Sequence, residues 1–313
     1  MLHLRVVSPA QTTPQVLRLL EAEAGVAHLV LHRGAAVRPA GDVVEADVAR
    51  ECADALLSDL RTLDLDHDGA LTLESLDTVL SDSADRAEEA APGEGSDAVL
   101  WDELIARTGE ESRLSFSFQA FLTIACLLAA IGAITDSAVL VVGAMVLGPE
   151  FGPLAAVAAG LVLRRRDLVR RGGTALAVGF PLGMAITAAA TVLFDATGLL
   201  VSADLDGLDE VAFIYQVGPF SLIVALLAGV AGTLALTSAK SGSLVGVFIS
   251  VTTVPAAAFA SVAAVEGRWS EAGLSALQLL VNLVGIVVAA AGTLLVARWT
   301  GARRDRGREL SAG

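Results

Sequence analysis

Gly148-Pro149-Glu150-Phe151-Gly152-Pro153 interrupts an apolar stretch that runs from Ala138 to Leu163. A helix needs about 20 apolar residues to cross a bilayer, and this stretch has them. Each residue of the run works against a continuous helix. The prolines lack the amide donor, and the glycines carry the entropic cost of flexibility. A carboxylate at mid-depth costs roughly 2.5–3.5 kcal/mol on insertion scales. A broken backbone is tolerated there only where it faces protein or water. Gly148, Pro149, Glu150, Gly152 and Pro153 are therefore the first candidates for a substrate- or ion-binding site.

Outward from this run, six hydrophobic segments stand out, at about 116–135, 138–162, 173–194, 217–238, 243–265 and 273–297. They read as two sets of three, each with a proline near the centre of its middle segment. In the second set that break is Thr252-Thr253-Val254-Pro255. The preceding segments also correspond, Ala130-Ile131-Gly132-Ala133 with Val230-Ala231-Gly232-Thr233. An odd number of crossings per set inserts the second copy upside down. Inverted repeats with paired broken helices point to a midplane site in secondary transporters. Thr252, Thr253 and Pro255 join the candidate residues on this basis. Gln278 and Asn282, four apart on one helix face, join them as polar groups in the last segment.

Loop charges set the expected orientation. Arg164, Arg165, Arg166, Arg170 and Arg171 separate the second and third segments, which puts that loop in the cytoplasm. Asp195–Glu210 has no Lys or Arg and is expected outside. Lys240 and the run Arg298, Arg303, Arg304, Arg306 and Arg308 then fall inside, so both termini are expected in the cytoplasm. Trp101, Trp269 and Trp299 fall at expected interfaces. The expected location is the inner cell membrane. Asp136 and Lys240 lie at opposite ends of the bundle on this topology. Gly179-Phe180-Pro181-Leu182-Gly183 combines a kink with GxxxG spacing, which suits a homo-oligomer contact or an intrabundle one.

The chain of 313 residues is 54% hydrophobic, yet carries a formal net charge of −14. The charge is confined to one part. Met1–Ser115 has nine Lys/Arg against 23 Asp/Glu, whereas Phe116–Gly313 has 12 of each. The acidity excludes a nucleic-acid partner, since no basic stripe exists to neutralise phosphates. Met1–Val7 alternates like a strand and lacks the basic region and apolar core of a signal peptide. Cys52 and Cys126 imply no disulfide framework.

Residues 1–80 read as strand Leu2–Val7, helix Thr13–Ala24, strands Val26–Leu31 and Val43–Val48, helix Ala49–Leu63 and strand Ala70–Glu74. This βαββαβ order is that of a small α+β, ferredoxin-like domain. Asp64-Leu65-Asp66-His67-Asp68-Gly69 begins like a calcium loop, but Ser75 occupies the position of the bidentate acid, so an acidic turn is expected. His28 and His32 share a strand face and are expected on a solvated surface rather than at a metal. Residues 81–96 read as an acidic flexible linker. Residues 97–114 read as an interfacial helix begun by Asp97. The membrane domain is expected over 115–300, and a basic tail over 301–313.

At Ser137–Met145, followed by Gly148–Pro153, the chain resembles the bacterial and archaeal membrane family called domain of unknown function 389. Ser243-Leu244-Val245-Gly246-Val247 through Pro255 matches a second hallmark, and Asn282 matches the family's Asn in the last segment. The likeness covers most of residues 99–297 and implies a multi-pass membrane protein. Many members have a small apolar residue at the position of Glu150 and a double proline where this chain has only Pro255.

The expected protein is thus α-helical and polytopic, with six transmembrane helices as a 3+3 inverted repeat. Breaking the second segment frees carbonyls on one half-helix and amides on the other. Glu150 suits a proton or cation carrier, or a carboxyl that caps the half-helix. Thr252 and Thr253 offer hydroxyls at matching depth or bond back to the preceding turn. The first functional expectation is a secondary transporter of a small solute. A membrane-anchored sensor or scaffold, and an ion channel, are the rivals. No enzyme is expected, because the membrane part has no His, no nucleophile–base pairing and no metal-ligand spacing. No catalytic residue, cofactor or metal is assigned.

Overall fold

The structure is a computed structural model, and it describes residues 1–91, 99–199, 219–237 and 253–311. Thr252, Ser243–Val247, Lys240, Asp97 and the later part of Asp195–Glu210 lie outside the described residues. The chain divides into two compact units, one running from Met1 to Glu103 and the other taking in Leu104–Leu236 and Ser241–Gly313.

In the first unit, alternation sets the sheet. Strand β1 (Leu2–Ser8) turns Leu2, Leu4 and Val6 to the core and His3 and Arg5 away from it. Helix α1 (Thr13–Ala22) leads to β2 (Val26–Val37), β3 (Ala40–Val48), helix α2 (Arg50–Arg61), a single turn α3 (Leu65–Asp68) and β4 (Ala70–Ser75). All pairings are antiparallel, in the order β2-β3-β1-β4. Register places Leu4 opposite Ala46 and Leu73, and Val6 opposite Val44 and Leu71. Val16 and Leu20 of α1 and Leu56 and Leu60 of α2 close this core. Each such side chain, fully buried, contributes about 1.5–3 kcal/mol.

The calcium-like stretch folds as α3 and passes directly into a strand. Its glycine has a steric cause, since a Cβ on Gly69 would collide with the Val7 carbonyl oxygen. Asp64, Asp66 and His67 gather on its exposed side.

The face opposite the core carries cross-strand charge pairs. Asp47 accepts from His3 Nδ1 at 2.8 Å and His28 Nδ1 at 2.7 Å, while Glu45 lies 3.5 Å from His32. The face is not simply solvated. His28 Nε2 is 2.8 Å from Ser81 Oγ and 2.9 Å from Ser83 Oγ. Ser81 caps helix α4 (Asp82–Ala90), so this part of the expected flexible linker is ordered. Acidic composition concealed a small apolar face, with Ala84 and Ala87 buried. The Met1 amino group adds a 2.8 Å ion pair to Glu88. A β-bulge between Ala27 and Val30 puts His28 at φ 51°, a left-handed backbone that costs a non-glycine residue about 1–2 kcal/mol.

Burial alone would push the Asp47 carboxyl up, but the hydrogen bonds from His28 and His3 outweigh it and hold it below its ordinary value of 3.8. A depressed folded-state value gives stability that is present above the unfolded value and lost as pH falls through the folded one. Asp47→Asn is expected to destabilise this unit by about 1–3 kcal/mol at neutral pH. It should also flatten the acid limb of thermal stability below about pH 4 in melts of the full-length protein. An acid limb as steep as in the wild type would sever that link.

The second unit is helical. It contains α6 (Phe116–Ile134), α7 (Ala138–Leu147), α8 (Phe151–Val162), α9 (Arg166–Ala196), α10 (Pro219–Thr237), α11 (Val254–Val265) and α12 (Trp269–Ser311), while α5 (Trp101–Glu111) spans the division between the units. Among the described residues, α6, α9, α10 and α12 are each long and apolar enough to cross a membrane, and α7 with α8 forms a span bent by 52°. Residue size sorts the helices. α8 and α11, rich in alanine, are buried almost all round, as expected of helices apolar on every face. The long helices instead expose Val178, Leu182 and Ile186, or Leu277, Leu280, Val284 and Val288. Exposed aliphatic faces of that extent suit contact with lipid. Gly179 of the GxxxG stretch packs within the bundle, where its Cβ would meet Phe118 Cε1 at 2.9 Å.

Candidate functional site

The proline-containing runs become helix starts. Pro153 is the third residue of α8 and Pro255 the second of α11, first-turn positions where a missing amide costs nothing. Glu150 is the N-cap residue of α8 and Thr253 that of α11, and neither side chain caps its own helix. They meet each other. Thr253 Oγ1 donates to Glu150 Oε1 at 2.6 Å, and both residues are fully buried.

The N-termini of α8 and α11 therefore converge on one carboxyl group. Each N-terminus carries partial positive charge from unpaired amides, and each complements an acidic group. The half-helices then diverge. The end of α8 lies beside the later part of α12, where Arg298 Nη1 donates to Val162 O at 2.9 Å. The end of α11 turns through Glu266–Arg268 into the start of α12. The carbonyl ends of α8 and α11 thus meet different parts of the same long helix.

Gly148, Pro149 and Gly152 line a groove of about 370 Å³ together with Glu110, Arg113 and Ser115. The non-helical backbone is thereby placed against a groove and protein. Gly152 is required by close approach, because a Cβ there would lie 2.6 Å from Glu111 Cβ.

Gln278 and Asn282 are buried and meet a residue that the sequence reading missed. Gln278 Nε2 donates to Ser221 Oγ at 3.2 Å, and Ser221 donates to Asn282 Oδ1 at 3.2 Å. α11 and α12 share a buried cluster to which Leu279, Val254, Ala257 and Ala258 belong. Leu154 of α8 packs against Ile286 of α12 and Ala225 and Ala228 of α10. Both polar groups are therefore built on the same packed helices.

Gln119 was also missed. Its amide donates to Gly179 O and Thr123 Oγ1, each at 3.2 Å, tying α6 to α9. A lone amide in an otherwise apolar segment was the available signal for Gln119, and a lone hydroxyl after Pro219 was the signal for Ser221. Asp136 lies in the α6–α7 turn at φ 46°, and no described contact joins it to the site.

No curated protein and no solved structure matches the chain. One family model does, over residues 145–288, a range holding Glu150, Thr253, Gln278 and Asn282. Through that range this chain carries the family's region, the Domain of unknown function (DUF389), as its hallmark residues had suggested.

Proposed function

We propose that this protein is a secondary transporter of a small solute, with Glu150 carrying the coupling proton or cation. The observation that carries the reading is the buried Thr253–Glu150 hydrogen bond between the two half-helix N-termini. On this reading the buried Gln278 and Asn282 contribute further polar groups, and Gly148 and Pro149, which line a groove, supply non-helical backbone on the approach.

The transmembrane domain has six spans in two inverted sets of three, with α11 as the described part of the fifth. Three correspondences support the repeat. α8 and α11 are both 12 residues long. Arg164, left-handed in the turn after α8, follows Glu150 by the same interval as left-handed Gly267 follows Thr253. Gln119–Gly179 ties α6 to α9, as Ser221–Asn282 ties α10 to α12. The N-terminal unit, with its β2-β3-β1-β4 order and two helices on one face, is ferredoxin-like and regulates or assembles the transporter. Loop charge places both termini on the cytoplasmic side of the inner membrane.

Reconstitution in liposomes tests the reading, with a pH-sensitive dye reporting proton movement against a panel of candidate solutes. Protein-dependent, pH-linked flux that Glu150→Gln removes supports it. Equal flux in that variant would take Glu150 out of the mechanism.

A further inference from the structure

α8 ends in a turn where the Arg165 amide donates to Gly160 O at 2.8 Å and Arg164 adopts φ 56°. The same closure ends α9 and α11, with Leu199 donating to Phe194 O and Arg268 to Ala263 O, both at 2.9 Å. There the left-handed residue is glycine, Gly198 at φ 69° and Gly267 at φ 77°. The left-handed conformation disfavours any residue with a Cβ. The turn at Arg164 thus carries an arginine that its backbone geometry opposes.

Arg164 lines two adjoining grooves. One, of about 560 Å³, sets Arg164 and Arg298 over Leu161 and Leu295. The other, of about 460 Å³, sets Arg164 beside Arg166 and Arg170. The bond from Arg298 to Val162 O fixes one guanidinium. The nearby carboxylate of Asp167 is engaged by Arg165, at 3.1 and 3.2 Å. Arg164, Arg166 and Arg170 make no ion pair among the described residues. Their surplus charge lies over an apolar floor, with Leu161 54% and Leu295 53% exposed. The apolar run of α12 ends at Thr300, beside Trp299, which puts the grooves at headgroup depth.

We propose that these grooves hold the phosphate of an anionic phospholipid, with the acyl chains lying along Leu161 and Leu295. Guanidinium groups bind phosphate oxygens in a planar, two-pronged fashion, and basic pockets between membrane helices suit such headgroups.

Native mass spectrometry of the full-length protein, extracted from vesicles of equal phosphatidylglycerol and phosphatidylcholine, tests this. The wild type should retain phosphatidylglycerol in preference. Arg164→Gly and Arg170→Gln should each reduce retention about fivefold, and the pair by about 25-fold. Arg164→Gly relaxes the turn, so its melting temperature should hold or rise, and loss of lipid cannot then be loss of fold. Arg170→Gln, in the body of α9, gives the same readout independently of the turn. Equal retention of the two lipids, or retention unchanged in the variants, overturns the proposal. So does displacement of the lipid by millimolar inorganic phosphate, which assigns the grooves to a soluble anion.

Discussion

Glu150→Gln is expected to cut pH-linked flux by at least about 100-fold, the scale on which removal of a positioned proton-transfer group acts. The substitution keeps the size of the side chain and an oxygen that can accept from Thr253. It removes the only feature of the residue that a proton can switch. Stability should fall by no more than about 1–2 kcal/mol, the difference between a charge-assisted and a neutral hydrogen bond. Thr253→Val complements it. The shape is retained but the donor is lost, leaving a fully buried carboxyl group deprived of the 2.6 Å contact. That change should cost about 1–3 kcal/mol and reduce flux about tenfold. In a double-mutant cycle the two residues should couple by about 0.5–3 kcal/mol. Additive effects in both stability and flux would mean that the half-helix ends act separately.

Gly172→Val is the second large effect. Gly172 of α9 lies so close to α8 that a Cβ would collide with the Pro153 carbonyl oxygen, and Val157 Cγ2 would lie 3.0 Å away. Backbone cannot yield as a flexible side chain can, so α8 must move. Overpacking of a core costs about 1–3 kcal/mol, and a shift of a whole half-helix belongs at the top of that range. Because Glu150 is the N-cap residue of α8, the displacement should also break the contact with Thr253 and depress flux. Gly173 is the internal control. Nothing lies within 4 Å of a Cβ built there, so Gly173→Ala should stabilise α9 by about 0.5–1 kcal/mol through helix propensity. Equal melting temperatures for Gly172→Val and the wild type would refute the packing argument.

Much of the local structure was legible because it depends on short-range rules. Alternating Leu2, Leu4 and Val6 marks a strand with one buried face, and the structure adds only a residue, Ser8, to its end. Pro149 and Pro153 mark a break, and helix ends fall at Leu147 and Phe151. The linker was misread where composition and periodicity conflict. Four acids in Asp82–Ala90 conceal an alanine face three residues in period. That face is useful only when a sheet stands ready to cover it. The histidines were placed on the correct face, but their link to Ser81 depends on the bulge at His28, which alternation does not foresee.

The sequence by itself determined that the chain would break between Leu147 and Phe151, which residue types would stand there, and that several segments are apolar enough for a bilayer. Those properties follow from missing amides, backbone entropy and transfer free energy, each a function of neighbouring residues. The tertiary structure alone decided that Thr253 donates to Glu150 across 103 positions of chain, and that Ser221 joins Gln278 to Asn282. Such pairings depend on how short, alanine-rich half-helices pack inside longer ones. That packing is settled by side-chain volumes from several segments at once, and no local pattern records it.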